Sequence, residues 1–312
     1  MSLIFSSGGG RLGNQLLNLM HLSAISFEYN INVYKISDLF ICGKNKSLIY
    51  KIEKDNVNWE IVDEHSEKTK IEKLFLKLFI RIIHFYFYFS PNCISYRIGL
   101  KNNLPKFLIG KNLKCDINIP KLVGESKKYN IALSGWGFRD WDLVIKHKEK
   151  IIKDFYKGFS PLKCNKKKIK NDYLFVHIRR SDFLDIQEFK DLNFTDKVWI
   201  KSIIKICEIE SITKVVIFSD CLIDDFMISF LKSHKIKTLI KNTGDNKNCS
   251  FLKLFVYYLS NAKSVICNAS TLVLSVSFLY HEKIYLPSKE NDFKNVVLNN
   301  AHNTYPTSLN WN

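Results

Sequence analysis

The chain is short of acid, of glycine and of proline. Asp and Glu total 30 against 47 Lys and Arg, so the formal net charge is +17. With 12 Gly and 6 Pro in 312 residues, a collagen-like chain or an extended linker is excluded. A hydrophobic share of 46% excludes a wholly disordered chain, because that much apolar surface can offset the entropy of ordering. No stretch of about 18 apolar residues runs without a charge, so no spanning helix is expected. The eight cysteines form no CxxC pair and no zinc-spaced cluster with histidine, and several lie inside apolar strand-like runs, as in Val265-Ile266-Cys267. Neither HExxH nor GxSxG occurs, which argues against a zinc protease or a serine hydrolase. The opening Met1-Ser2-Leu3-Ile4-Phe5 has no basic region ahead of a long apolar one, so a signal peptide is not expected and the chain reads as cytoplasmic.

What is present is an alternation of strand and helix patterns. At about 150 residues per domain the length suggests two domains. We place them at 1–165 and 166–312, joined through the lysine-rich stretch 163–170. The first opens with the apolar strand Leu3-Ile4-Phe5, then glycines, then a helix in which Leu17, Met20, Ala24 and Phe27 recur at three- and four-residue steps. Residues 35–130 give a weaker pattern. Ile131–Ser134 reads as a strand and 142–157 as a helix. The second domain reads cleanly, with strands at Tyr173–Ile178, Lys214–Phe218, Ile236–Ile240, Ser264–Cys267 and Lys283–Leu286. Helices at Lys197–Ile209, Leu222–Ser233, Phe251–Ser260 and Thr271–Tyr280 separate them. Near-continuous apolar strands alternating with helices imply a parallel sheet covered on both faces, and such sheets bind ligands beyond the carboxyl ends of their strands.

The positive charge invites two readings. Lysines spread along every segment are ordinarily solvated surface, and the run Lys166-Lys167-Lys168 fits that. A strong positive field also attracts polyanions. Segment 71–89 sharpens the choice, since Lys73, Lys77 and Arg81 recur every four residues among Leu74, Phe75, Leu78, Phe79 and Ile82. This is the pattern of a helix lying on anionic lipid. It is equally that of a surface helix packing its apolar stripe on its own domain, the reading the sequence slightly favours.

Five short segments can carry chemistry, and each also has a plain structural explanation. In His177-Ile178-Arg179-Arg180-Ser181-Asp182, period two puts His177 and Arg179 on one side of the strand. Two arginines at a strand end offer permanently charged, fork-shaped donors to a diphosphate. They can equally bridge to Asp182 and Asp185. In Gly10-Arg11-Leu12-Gly13-Asn14-Gln15 the glycines allow close backbone approach and the helix start favours an anion. Gly8 and Gly13 have the spacing of an NTP-binding loop, but Asn14-Gln15 stands where that loop needs Lys and Ser or Thr. Asp220 ends a strand, where it can take a ribose hydroxyl or cap the next helix. Asn268-Ala269-Ser270-Thr271 sits where a strand meets a helix and suits phosphate or capping. Asp140-Trp141-Asp142 has the acid spacing of some metal-dependent transferases, and it reads more simply as a helix start.

In this order the segments resemble the bacterial and animal α-1,2-fucosyltransferases of glycosyltransferase family 11. That family opens with Gly-Gly-Leu-Gly-Asn-Gln, here Gly10–Gln15, a form also similar to the Gly-Arg-Phe-Gly-Asn-Gln loop of protein O-fucosyltransferases. A Gly-Tyr-Phe-Gln segment is similar to Gly135-Trp136-Gly137-Phe138. The His-x-Arg-Arg-x-Asp-Tyr motif matches at 177–183, with Phe183 for tyrosine. Phe-Ser-Asp-Asp matches through Asp220 and then departs at Cys221, and the late Asn-Ser-Ser/Thr-Phe-Ser-Trp-Trp motif appears from Asn268 to Leu274 without its tryptophans. The acid that usually precedes the Leu-Met-Ser helix is absent around Cys249-Ser250-Phe251. The resemblance covers about residues 3 to 287.

The resemblance implies an α/β, GT-B-like architecture of two Rossmann-like domains facing a cleft. It also implies inverting transfer of L-fucose from GDP-fucose to the 2-hydroxyl of a galactoside, without a metal or other cofactor. Arg179 would then meet the β-phosphate, with Arg180 supporting the pyrophosphate or its loop. His177, Asp220, Asn268, Ser270 and Thr271 would line the GDP pocket, and Gly10, Arg11, Gly13 and Asn14 would face it from the other lobe. Asp182 is the candidate base, with Asn14 beside it as a catalytic candidate. The expected partners are a nucleotide sugar and a glycan acceptor, lipid-linked in bacterial surface-polysaccharide or O-antigen synthesis, at the inner face of an anionic membrane. Three alternatives stand beside this: a similar transferase using another nucleotide sugar, a basic nucleic-acid-binding protein, and a lectin-like homologue without turnover. Motifs placed one per strand end suit a small-ligand cleft better than nucleic acid.

Overall fold

A computed structural model of the chain describes residues 3–7, 12–36, 40–42, 49–52, 59–61, nine residues within 74–89, and 90–98, 113–114, 119–135, 140–159, 171–180, 193–242, 251–268, 270–289 and 293–297. The chain divides into two compact units, Met1–Pro161 and Leu162–Asn310. The lysine-rich stretch 163–170 lies outside the described residues.

The first unit is built on a six-stranded sheet of order β4-β2-β1-β8-β6-β7. Its strands are β1 (Leu3–Ser7), β2 (Asn32–Ile36), β4 (Ile49–Ile52), β6 (Cys93–Ile98), β7 (Leu113–Lys114) and β8 (Asn130–Gly135). All neighbours pair in parallel except β2 with β4. A separate antiparallel pair joins β3 (Phe40–Cys42) to β5 (Trp59–Ile61). The chain leaves β1 through helix α1 (Leu12–Tyr29) to reach β2 on one flank, while β8 pairs on the other. Helix α1 is buried on nearly every side through Leu16, Leu17, Leu19, Met20 and Ile25, and its polar members must find partners. Buried His21 does so, its Nδ1 accepting from the backbone N–H of Asp140 at 2.7 Å.

Helix α2 (Ile119–Ser126) precedes β8. The helix read at 142–157 is two helices, α3 (Trp141–Lys146) and α4 (Lys148–Phe159), broken at His147. There Glu28 of α1 takes Lys146 Nζ on one oxygen at 2.6 Å and His147 Nε2 on the other at 2.8 Å. These bonds hold the Glu28 carboxyl below the usual carboxylate range. Asp140 caps α3, its Oδ1 accepting from Leu143 N–H at 3.1 Å, so the acid-x-acid segment starts a helix.

The second unit carries strands β9 (Asn171–Ile178), β10 (Lys214–Ser219), β11 (Lys237–Asn242), β12 (Ala262–Cys267), β13 (Lys283–Pro287) and β14 (Phe293–Val297). Its sheet order is β11-β10-β9-β12-β13-β14, which is 3-2-1-4-5-6 in chain order, the Rossmann arrangement. Five strands run parallel, and β14 adds an antiparallel edge that the sequence did not announce. The helices are α5 (Asp196–Ile209), α6 (Asp225–Ser233), α7 (Phe251–Asn261) and α8 (Thr271–Tyr280). Helix α6 starts three residues later than Leu222, because Asp224 supplies the cap by accepting from Phe226 N–H at 2.9 Å.

Alternation along β9 sorts its side chains. Leu174, Val176 and Ile178 enter one core with Trp199 of α5 and with Met227 and Leu231 of α6. Phe175 turns the other way and meets Phe218 and Phe255, each at 5.2 Å between ring centroids. At the amino edge of this sheet the polar groups pair off. Glu210 at the end of α5 accepts from Tyr285 Oη and from Lys283 Nζ, while its backbone oxygen accepts from Lys263 Nζ at 2.6 Å.

Phe255 is fully buried among three aromatic rings, so Phe255→Ala should lower the stability of the second unit by about 3–5 kcal/mol. Urea unfolding followed by far-UV dichroism measures the shift, and a loss below 1 kcal/mol would show that α7 does not seal this face.

Candidate functional site

In the second unit the connections from β9 and β12 leave the sheet toward opposite flanks, so their carboxyl ends form the switch point where α/β sheets take ligands. The segment His177–Arg180 ends there. The β9–β12 ladder closes at the pair His177–Cys267. One residue further, the Asn268 carboxamide continues it: Oδ1 accepts from Arg179 N–H at 3.1 Å and Nδ2 donates to Arg179 C=O at 2.6 Å. From the other flank Asp220, just beyond β10, accepts from Arg180 N–H at 2.9 Å. The two arginines are therefore gripped by their backbones from both neighbouring strands.

Their side chains part. Arg180 falls on the same side as Ile178 and forms an ion pair with Asp196, the first residue of α5. The sequence suggested Asp182 or Asp185 for that bridge; both lie outside the described residues, and Asp196 was overlooked. Its only trace in the sequence is Thr195-Asp196 ahead of an apolar helix. Arg179 falls on the side of His177. The His177 ring packs edge-on against Phe255 at 5.2 Å, and its buried Nδ1 has no hydrogen-bond partner among the described residues. Burial first, then the nearby Arg179 charge, pushes its pKa down to about 4 against a smaller opposing pull from Asp220. His177 is neutral at pH 7, and Arg179 brings a positive charge close to it.

Asn268 and Asp220 thus position the arginines, and Asp220 is not the cap of α6, a role Asp224 fills. Ser270 caps α8 by accepting from Val273 N–H at 3.4 Å, with Thr271 opening that helix. Burial pushes the Cys267 thiol up to about 12, so no thiolate nucleophile arises there. Among the described residues no three His, Cys, Asp or Glu side chains gather to hold a metal ion.

The first unit has its own switch point, between β1 and β8. Described residues of two motif segments follow its strands. Gly13 and Asn14 lie in the first turn of α1, and Gly135 ends β8. Asn14 is more than nine-tenths buried, and its Oδ1 has no hydrogen-bond partner among the described residues. Gly10, Arg11, Asp182 and 136–138 lie outside the described residues.

No family model matches the chain, and no curated protein matches it. Solved structures do. One is POFUT1 in complex with GDP-fucose, at 12% identity over 88% of this chain and 93% of that one, with a TM-score of 0.44. Another is a mutant of Arabidopsis thaliana FUT1 in complex with GDP, at 10% identity over 93% of this chain and 72% of the other, with a TM-score of 0.48. A likeness this distant says nothing of what this chain binds.

Asn268→Ala leaves both backbone groups of Arg179 without their partner and should cost roughly 2–4 kcal/mol, read by urea unfolding. A loss within 0.5 kcal/mol would show that the clamp is dispensable. His177 supplies a pH test. Its folded pKa lies below the unfolded 6.5, so the unfolded chain binds the extra proton between about 6.5 and 4. The stability tied to His177 is complete above pH 6.5 and falls as pH drops toward 4. His177→Phe should flatten that part of the decline, and an unchanged slope would exclude a buried neutral imidazole.

Proposed function

We propose that the chain is an inverting glycosyltransferase that moves L-fucose from GDP-fucose to the 2-hydroxyl of a galactoside, making the α-1,2 linkage of a bacterial surface polysaccharide. The observation that supports this most is Arg179, held at a Rossmann switch point by backbone bonds from Asn268 while its neighbour Arg180 is tied to Asp196. The choice of donor and linkage rests on the motif resemblance at 10–15, 135–138, 177–183 and 268–274.

In this reading the acceptor hydroxyl oxygen attacks C1 of the fucose from the face opposite the diphosphate. The bond from C1 to the β-phosphate oxygen breaks, and GDP leaves with the electron pair. Arg179 neutralises the charge growing on that diphosphate, and a fixed cation does so without reorganising as the bond breaks. The hydroxyl proton goes to a carboxylate, for which Asp182 is our candidate. Asn14, with its buried carboxamide at the start of α1, is the candidate from the first unit for orienting the reacting groups. Arg180 acts through position, since Asp196 takes its guanidinium.

Purified protein is incubated with GDP-fucose, GDP-mannose, UDP-galactose or UDP-N-acetylglucosamine, each with a panel of β-galactosides in EDTA, and product mass is followed. Fucose transfer from GDP-fucose alone is the expected result. Transfer only from another donor would keep the fold and sink the fucose assignment, and no transfer with no GDP binding would sink the enzyme reading. Arg179→Ala should then lower kcat/KM by about 10²–10³-fold. Arg179→Lys should recover little of it, because an ammonium lacks the planar fork.

A further inference from the structure

Segment 74–89 shows what the sequence left open. Its nine described residues are all helical and all exposed. Leu74, Phe75, Phe85, Tyr86 and Phe89 are 61–67% exposed and Ile82 57%, with Leu78 and Phe79 less so. These described residues of the stripe face solvent, where the reading the sequence slightly favoured would bury them. At about 100° per residue these eight large side chains fall within an arc of roughly 140°, with Arg81 at its edge. Phe85 and Phe89 touch along the helix at 4.4 Å between ring centroids, one turn apart. Together the stripe exposes several hundred Å² of contiguous apolar surface, the scale at which a patch marks an interaction site.

Charge selects the partner. From Lys73 to Cys115 the sequence has no Asp or Glu and eight Lys or Arg, so nearly half of the net +17 falls in this one tract. A second copy of the chain would bring the same positive tract against this one and be repelled. Leu74 and Ile82 interrupt the rings, so the face is not the stacking platform a nucleic acid uses. An apolar helical stripe with Arg81 at its edge, in a tract of sequence free of acids, suits the headgroup layer of an anionic bilayer. At about 1.5 Å per residue, even an unbroken helix over 74–89 would reach only roughly 24 Å, short of a hydrocarbon core of about 30 Å. No helix among the described residues is long and apolar enough to cross a membrane. We propose that this face docks the protein on the surface of an anionic lipid bilayer, with the aromatic stripe immersed at headgroup depth and Arg81 at the phosphates.

The test is flotation of the full chain with phosphatidylcholine vesicles, with and without 30% phosphatidylglycerol, in 0.1 M NaCl. It reads binding and is independent of the transferase reading. At least tenfold more protein should float with the anionic vesicles. The double variant Phe85→Ser and Phe89→Ser should lose most of that binding, and Arg81→Glu about tenfold, with unchanged far-UV dichroism. Should the double variant fail to fold, Arg81→Glu carries the test alone. Equal partition into both vesicle types, no flotation at all, or variants that float like the parent would overturn the proposal. So would a dimer seen by sedimentation that Phe85→Ser with Phe89→Ser dissociates while vesicles go unbound.

Discussion

The second unit turns on the two hydrogen bonds between the Asn268 carboxamide and the backbone of Arg179. A parallel ladder must stop where its two strands diverge, and the next peptide group is then left without a partner. An asparagine side chain is itself an amide, with one donor end and one acceptor end. Placed just past β12, it supplies the missing rung and carries β9 one residue further in extended form. Asp220 repeats the device from β10 with a single bond to Arg180 N–H. Side chains read as candidate ligands are thus spent on holding two consecutive backbone groups at the edge of the sheet.

Extended geometry at Arg179 and Arg180 decides where their charges go. Successive residues face opposite sides of a strand, so two adjacent arginines cannot share one site while the strand continues. Arg180 must enter the side of Ile178 and α5, where its Nη2 meets Asp196. Arg179 must enter the side of His177 and Phe255. On that side burial first, and then the Arg179 charge, keep the imidazole neutral at ordinary pH. The rule that makes strands amphipathic therefore divides a dibasic pair into one arginine that meets Asp196 and one on the side of His177.

Much of this was legible in the sequence, and the limits are physical. Apolar runs such as Tyr173–Ile178 and Val265-Ile266-Cys267 mark buried parallel strands directly, and the structure has them with boundaries moved by one or two residues. The partners were not legible. Asn268 and Arg179 are 89 residues apart, and nothing local distinguishes an asparagine that caps a helix from one that extends a neighbouring strand. Asp196 was hidden for the same reason, since an acid at a helix start is fully explained by the helix dipole. In the first unit β2, β4, β6 and β7 escaped because short, lysine-bearing strands such as Asn32–Ile36 break the apolar run that a buried strand needs. The aromatic segment was misread in the opposite direction: periodicity says a stripe exists, and only the surrounding chain decides whether anything covers it.

The two edges of the second sheet show why the carboxyl edge is the candidate site. At the amino edge Glu210, Tyr285, Lys283 and Lys263 consume one another's donors and acceptors, and the Glu210 carboxyl is held below its usual range by the Tyr285 hydroxyl first and Lys283 after it. Charges there are matched and need no ligand. At the carboxyl edge Asn268 and Asp220 are turned toward backbone, Asp196 meets Arg180, and the buried His177 Nδ1 has no hydrogen-bond partner among the described residues. The first unit repeats the asymmetry at its own switch point, where Asn14 Oδ1 is buried and unpartnered among the described residues. A buried polar atom left over costs stability unless something else meets it. Each of the two switch points thus keeps one buried polar atom, Asn14 Oδ1 and His177 Nδ1, with no hydrogen-bond partner among the described residues.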